Sequence, residues 1–316
     1  MPRLDGLAPA ASAPGAEARE WLSSSPDALP GLAERTAYVI TLTTAGYYPE
    51  DETGLLTPAG LDADIVVFET RPDWLEGCEL SWWGGPAVAP TPVWPRRRDG
   101  QPLAHVFSVH LGEVHGWEWE DDQMHDAWGS PRFWLPDQGV LQVFSDRRTD
   151  GFGSEDGQLG AWQVRWIEPD EPRALVEPPE GAQPPHGHLV EAFQGFMVPA
   201  SCDVPAEVPG RDAADAVNVA LARAWDWQQH DRVLEHPPAV THLYGHSSLG
   251  YQPVAEHLGR VLPCEPGDRH RLVAELVPGD VLPGWFADGV HLEVWMRESD
   301  LRTRAFDNAW CLLRAG

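Results

Sequence analysis

Thirteen histidines are the residues in this chain best suited to chemistry, and their spacing limits what that chemistry is. His105, His110, His115 and His125 fall close together, His186 and His188 form an H-x-H pair, and His242 and His246 stand four apart with Glu256 and His257 downstream. A zinc site needs three or four side chains converging on one point, each with its second ring nitrogen held. His105 and His110 differ by five, which puts them on opposite sides of a regular strand. His186 and His188 sit in a Pro/Gly-rich stretch that reads as a loop. Between His242 and His246, Leu243, Tyr244 and Gly245 fill the gap where a metalloprotease helix carries its glutamate. No metal and no cofactor is expected.

Nucleophiles and ligand loops are no more complete. The run GHSSLG, Gly245 to Gly250, is one residue from G-x-S-x-G because Leu249 takes the place of the final glycine, and it reads as a polar turn. Cys202 lies between Pro199 and Pro205 with no arginine or histidine close by to lower its thiol pKa. The run from Gly151 to Gly157 misses G-x-G-x-x-G by one residue, and no helix-forming stretch follows it. Asp146, Asp150 and Gly151 match a calcium loop, but Arg148 replaces the third ligand and Gly157 the closing glutamate. There is no lysine, so Schiff-base and P-loop lysine chemistry are excluded. Paired carboxylates of the glycosidase kind leave no spacing signature. The sequence therefore leans away from an enzyme.

Two segments suit binding better. In Trp82 to Leu103, Gly84-Gly85-Pro86 and the later prolines stiffen a path that displays Trp82, Trp83 and Trp94, and rigid aromatics make good binding anchors. The competing reading makes these indoles a structural lid on a sheet. In the acidic run beginning at Trp117, Trp119 sits among Glu118, Glu120, Asp121 and Asp122, a composition that suits docking of arginine or lysine on a partner. The chain as a whole carries 49 Asp+Glu against 22 Lys+Arg, a formal net charge of −27. That excess repels phosphate backbones, so nucleic acid is not an expected partner, and it attracts basic proteins. No run approaches the roughly 20 apolar residues of a membrane span. The four cysteines, Cys78, Cys202, Cys264 and Cys311, form no CxxC, and a cytoplasmic address is expected.

Strands must position these groups. β-Rich runs are read at Ala37–Thr43, Asp64–Phe68, Ala104–Leu111, Val140–Ser145, Trp162–Ile167, Leu272–Val277, Val290–Arg297 and Ala309–Leu313. One long helical period starts at Asp212, a candidate N-cap, with its stripe at Val217, Ala220, Leu221, Ala224 and Trp225. Shorter helices are expected at Pro253–Val261 and from Ser299 or Asp300. Strands outnumber helices without alternating with them, which predicts an α+β fold of mostly antiparallel sheet. LPDQGVLQVFSD, after a strand at His105, is echoed by LPGWFADGVHLEVWMRESD, after a strand at Arg271, so two related β-units are expected. Residues 1–35 read as a loosely ordered arm and 36–316 as one domain, with Glu168 to His188 as a Pro/Glu-rich connection.

The Gly84-Gly85-Pro86 start, Trp94-Pro95, Gly100 with Pro102-Leu103, the Leu135 to Asp146 run, and Gly284-Trp285, Asp288-Gly289, Asp300-Leu301, Phe306 and Trp310 together resemble the YwqG-like family, a DUF1963-type domain of unknown function. The resemblance runs from about Leu80 to Leu313 and implies an antiparallel α+β fold. It brings no catalytic residues. His105-Val106-Phe107-Ser108-Val109-His110 departs from the Phe-rich, Gln-bearing strand such proteins carry. The function expected is that of a non-catalytic binding protein, immunity-like, with a basic protein as partner. The alternative is an enzyme or small-ligand binder whose pocket lies between the two β-units, with His110 and Asp288 in it.

Overall fold

Alternation of apolar and polar residues along the β-rich runs sets the two faces of one large sheet. The structure is a computed structural model that describes residues 30–35, 37–44, 80–112, 136–182, 187–219, 241–277, 285–286 and 289–316. Its strands are β1 (Ala37–Thr44), β2 (Ser81–Gly84), β3 (Ala87–Ala89), β4 (Ala104–His110), β5 (Val140–Ser145) and β6 (Trp162–Ile167). They continue with β7 (Ala174–Val176), β8 (Gly187–Met197), β9 (Thr241–Leu243), β10 (His270–Leu276), β11 (Val290–Arg297) and β12 (Trp310–Ala315). Ten of them form one antiparallel sheet in the order β12-β11-β10-β9-β1-β8-β2-β4-β5-β6, and β3 pairs with β7 apart from it.

This order has a repeat in it. The chain lays down β1 and then the meander β2-β4-β5-β6, and later β8 and then the meander β9-β10-β11-β12. The leading strands are exchanged: β1 joins the second meander through β9, β8 joins the first through β2, and the two pair with each other from Ala37↔Met197 to Thr44↔Val190. The α+β, mostly antiparallel architecture is thus found, with the two β-units interlocked at their first strands.

Along β11, Leu292, Val294 and Met296 enter the central core while Glu293 and Trp295 face away, the period-two alternation of a strand. The same core takes Ile40, Phe107, Val143, Val164 and Leu243, drawn from both units. The sheet curls around it until its ends meet. The Leu313 N–H donates to the Asp150 carbonyl at 2.9 Å, and the Trp162 indole N–H donates to the Ala309 carbonyl at 3.1 Å. Arg147, from the first unit, stacks on Trp285, and Arg304, from the second, stacks on Trp166. At this junction Gly151 has φ +80°, and a Cβ there would lie 2.0 Å from the Cys311 carbonyl oxygen, so no other residue fits without displacing β12.

The short helices are α1 (Pro30–Ala33), α2 (Asp156–Leu159), α3 (Ala255–Val261) and α4 (Glu298–Arg302), of which α4 packs Leu301 into the central core. Helix α3 seals Leu272, Trp295, Trp310 and Leu312 on the second unit, while Val88 of β3 and Leu175 of β7 close over Trp82, Val140 and Ile167 on the first. Among the described residues no helix is long and apolar enough to cross a membrane.

Three local readings are corrected. His188 is not in a loop: it lies in β8, opposite Trp83, so that strand begins inside the stretch read as a connection. The helical turn at Arg211–Ala213 is not capped by Asp212, because Gly210 with φ +86° takes the N-cap position. His105 and His110 do not face opposite sides, because a bulge between His105 and Phe107 slips the register and brings both rings to 6.1 Å from Trp82. The expected strand at Asp64–Phe68 and the helix beyond Val219 lie outside the described residues.

Candidate functional site

The most concentrated titratable chemistry lies on the outer face of the second unit. Register places His242, Glu275 and Glu293 side by side across β9, β10 and β11. Both carboxylates are fully buried, so each must be satisfied from within the protein. The turn after β9 lies over them. Ser247 donates to Glu293 Oε1 at 2.5 Å, while Ser248 donates its hydroxyl to Glu275 Oε1 and its N–H to Oε2 at 2.8 Å. Arg314 donates to both oxygens of Glu293 at 2.8 and 3.0 Å, and the Trp295 indole adds a third donor at 2.8 Å. His291 Nδ1–H donates to Glu275 Oε1 at 2.7 Å.

These surroundings push the two acids apart. Burial raises the Glu275 carboxyl, but the His291 hydrogen bond, the neighbouring His242 and the Ser248 donors outweigh it and hold the group below its ordinary value. Burial also raises Glu293, and with Glu275 adding to it, the opposing Arg314 leaves the group above its ordinary value. Split carboxylates beside a serine and a histidine suggest acyl transfer, but the order of a histidine-based triad is not formed. In a working triad the acid holds one ring nitrogen and the serine the other. Here Ser248 Oγ, 3.3 Å from His291 Nδ1, competes for the nitrogen that already serves Glu275. The hydroxyl protons of Ser247 and Ser248 are directed at the carboxylates of Glu293 and Glu275 and not at a histidine. The network fastens the Ser247–Gly250 turn to the sheet.

The first unit carries a counterpart. Gln142 in LQVF occupies the place of Glu293 in LEVW, and Ser108 opposes Gln142 as Glu275 opposes Glu293. Gln142 donates to Ser108 at 2.7 Å and accepts from Arg165 at 2.7 Å. His105 holds the Gly84 carbonyl at 2.8 Å and Ser108 at 2.9 Å, and burial lowers its pKa to about 4, so it stays neutral. Both ring nitrogens are used, leaving none for a metal. Among the described residues no three His, Cys, Asp or Glu converge as a metal set.

Trp82, Trp83 and Trp94 are buried at 0%, 1% and 7% exposure, which places them inside the protein and out of reach of a partner. Trp82 and Trp94 donate their indole N–H groups to the Pro86 and Leu103 carbonyls, each at 2.8 Å. They belong to the packed interior of the first unit, Trp82 beneath Val88 and Leu175 and Trp94 against Leu103 and Phe144. His110 packs on Trp82, and burial lowers its pKa to about 4. Trp117, Trp119, Glu120, Asp121, Asp122 and Asp288 lie outside the described residues.

One concave feature joins the two units. A cleft of about 570 Å³ runs beside β6, at the seam where the sheet ends meet. The first unit contributes Arg96, Leu103, Trp162, Gln163 and Val164, and the second Leu262, Arg297, Asp307, Asn308 and Trp310. That size is ordinary for a ligand pocket. Arg297 is neutralised by Asp300, with Nε to Oδ2 at 2.5 Å, whereas Arg96 is tied only to the Gly100 carbonyl among the described residues. His110 is not in the lining. No motif in the sequence marks this cleft, because its walls come from segments far apart in the chain, ending at Val164 and resuming at Val261, that meet only through the curl of the sheet.

A search of curated proteins finds no match to the chain. The family model of a domain of unknown function, DUF1963, matches residues 82–314, which takes in β2 to β12 and both walls of the cleft. The chain, matched over that span, belongs to the DUF1963 family.

Proposed function

We propose that this chain is a non-catalytic interaction protein that captures a basic protein partner, immunity-like in that it neutralises or recruits it. The observation that carries this reading is the net charge of −27, set beside the fate of the arginines. Arg97 is spent on Asp146, Arg269, Arg271 and Arg302 on Glu298, Arg297 on Asp300 and Arg314 on Glu293. The excess carboxylates are left to set the outward field, which steers a basic protein towards the chain. Residues 36–316 act in this reading as one unit and 1–35 as an arm. The free thiols of Cys202, Cys264 and Cys311 support a reducing, cytoplasmic address.

A second reading, a small-ligand binder or enzyme with its pocket between the units, is favoured by the cleft beside β6. Partner capture distinguishes the two. Proteins crosslinked to the chain in a lysate of its source cells are identified, purified and retitrated against it. The expected result is a basic protein whose affinity falls at least about tenfold between low and physiological ionic strength. An acidic partner, or an affinity indifferent to salt, contradicts the reading.

A further inference from the structure

We infer that the cleft at the seam binds a small organic carboxylate, with its head on Arg96 and its apolar body in the base of the cleft. This goes beyond the capture of a partner and does not depend on it. The buried part of the lining is apolar: Leu103, Val164, Leu262 and Trp310 are 1%, 2%, 5% and 9% exposed. Arg96, Asp307 and Asn308 are exposed and form the rim. An apolar base under a few polar groups is the make-up of a small-ligand pocket, and about 570 Å³ suits a ligand of that size. The base is walled on one side, since the Phe306–Ala309 segment packs against β6. Both indole N–H groups of the lining are already used, Trp162 on the Ala309 carbonyl at 3.1 Å and Trp310 on the Gly151 carbonyl at 2.8 Å. The two rings therefore offer a ligand apolar surface and no donor.

The rim selects an anion. In a chain of net charge −27, the lining holds two arginines, Arg96 and Arg297, against one acid, Asp307. Arg297 and the Asn308 amide are both turned to the Asp300 carboxylate. Arg96 donates from Nη1 to the Gly100 carbonyl at 2.8 Å, and its Nε and Nη2 have no protein partner among the described residues. That edge of a guanidinium is a planar fork, which meets a carboxylate through two parallel hydrogen bonds. One such fork balances the single charge of a carboxylate, whereas a phosphate group carries about −1.5 to −2. The Gln163 side chain, in the same lining and without a partner among the described residues, supplies a further N–H for the head.

The test titrates benzoate, naphthoate and octanoate, and the neutral primary amide of each, into the intact chain by calorimetry. At least one carboxylate is expected to bind at one site per chain, at least about tenfold more tightly than its amide. Arg96→Gln takes the fork from an exposed side chain and is expected to erase that preference. Arg96→Lys keeps the charge without the fork and is expected to restore only part of it. Asp307→Trp, at an exposed position, fills the cleft from the second unit and is expected to weaken the carboxylate at least about tenfold, although it removes a repelling charge. Binding that Arg96→Gln and Asp307→Trp both leave unchanged lies elsewhere and overturns the inference. So does a panel in which no carboxylate binds with a Kd below about 1 mM. Naphthyl phosphate binding more tightly than naphthoate overturns the carboxylate head. The salt titration of the captured partner on the wild type decides the interaction reading whatever these ligands do.

Discussion

Arg314→Met is expected to cost about 3–5 kcal/mol at pH 7, because it strands the Glu293 carboxylate in the interior without its counter-charge. Arg314 donates to both Glu293 oxygens and to the carbonyls of Gly250 and Leu249 at 2.8 and 2.9 Å, so its loss also frees the turn that seals the site. Urea denaturation measures the cost. The double variant Arg314→Met, Glu293→Met is expected to recover most of it, since two apolar side chains need no partners. The pH dependence gives a second check, and its sign follows from the shift. Glu293 has a folded pKa above its ordinary 4.5, so the protonated group suits the fold, and stability is lost as pH rises through that folded value. Removing Arg314 raises the folded value further. The penalty is therefore expected to be largest near neutral pH and to shrink as pH falls towards 5. Glu275 is depressed, and its contribution is lost only as pH falls through a folded pKa below 4.5, outside that window. A penalty that is flat across it contradicts the assignment of the buried charge.

Trp82→Ala is expected to cost about 3–5 kcal/mol, the range for emptying a fully buried indole site. The side chain is completely enclosed, donates to the Pro86 carbonyl at 2.8 Å and packs against His105 and His110. Trp82→Phe keeps part of the volume and is expected to cost less. Thermal unfolding reads the loss, and partner affinity measured well below the melting temperature is expected to be unchanged. A variant of normal stability that no longer binds would make Trp82 a contact residue and contradict its place in the core.

Much of the fold is legible in local chemistry. β5, β6 and β11 fall on the residues whose β-branched and aromatic runs mark them, because each is bounded by turn residues. The echo of LQVF in LEVW marks both the repeat and the matched positions of Gln142 and Glu293. What escapes the sequence depends on distant partners. The exchange of β1 and β8 is a choice between equivalent meanders that no local pattern encodes. The bulge that turns His105 and His110 to one face adds a residue without any glycine to announce it. The serines at 247 and 248 read as an incomplete nucleophile motif, and only the register of β10 and β11 shows that they serve two buried acids. Trp82 and Trp83 suit a binding anchor and a core equally well, since the indole has both an apolar body and a donor. Their position between β4 and β8 decides for the core.

The net charge of −27 carries the account of binding, and titration of the captured partner against ionic strength tests it most directly. The expected result is a basic protein whose affinity falls at least about tenfold between low and physiological ionic strength. An acidic partner, or an affinity indifferent to salt, would contradict it.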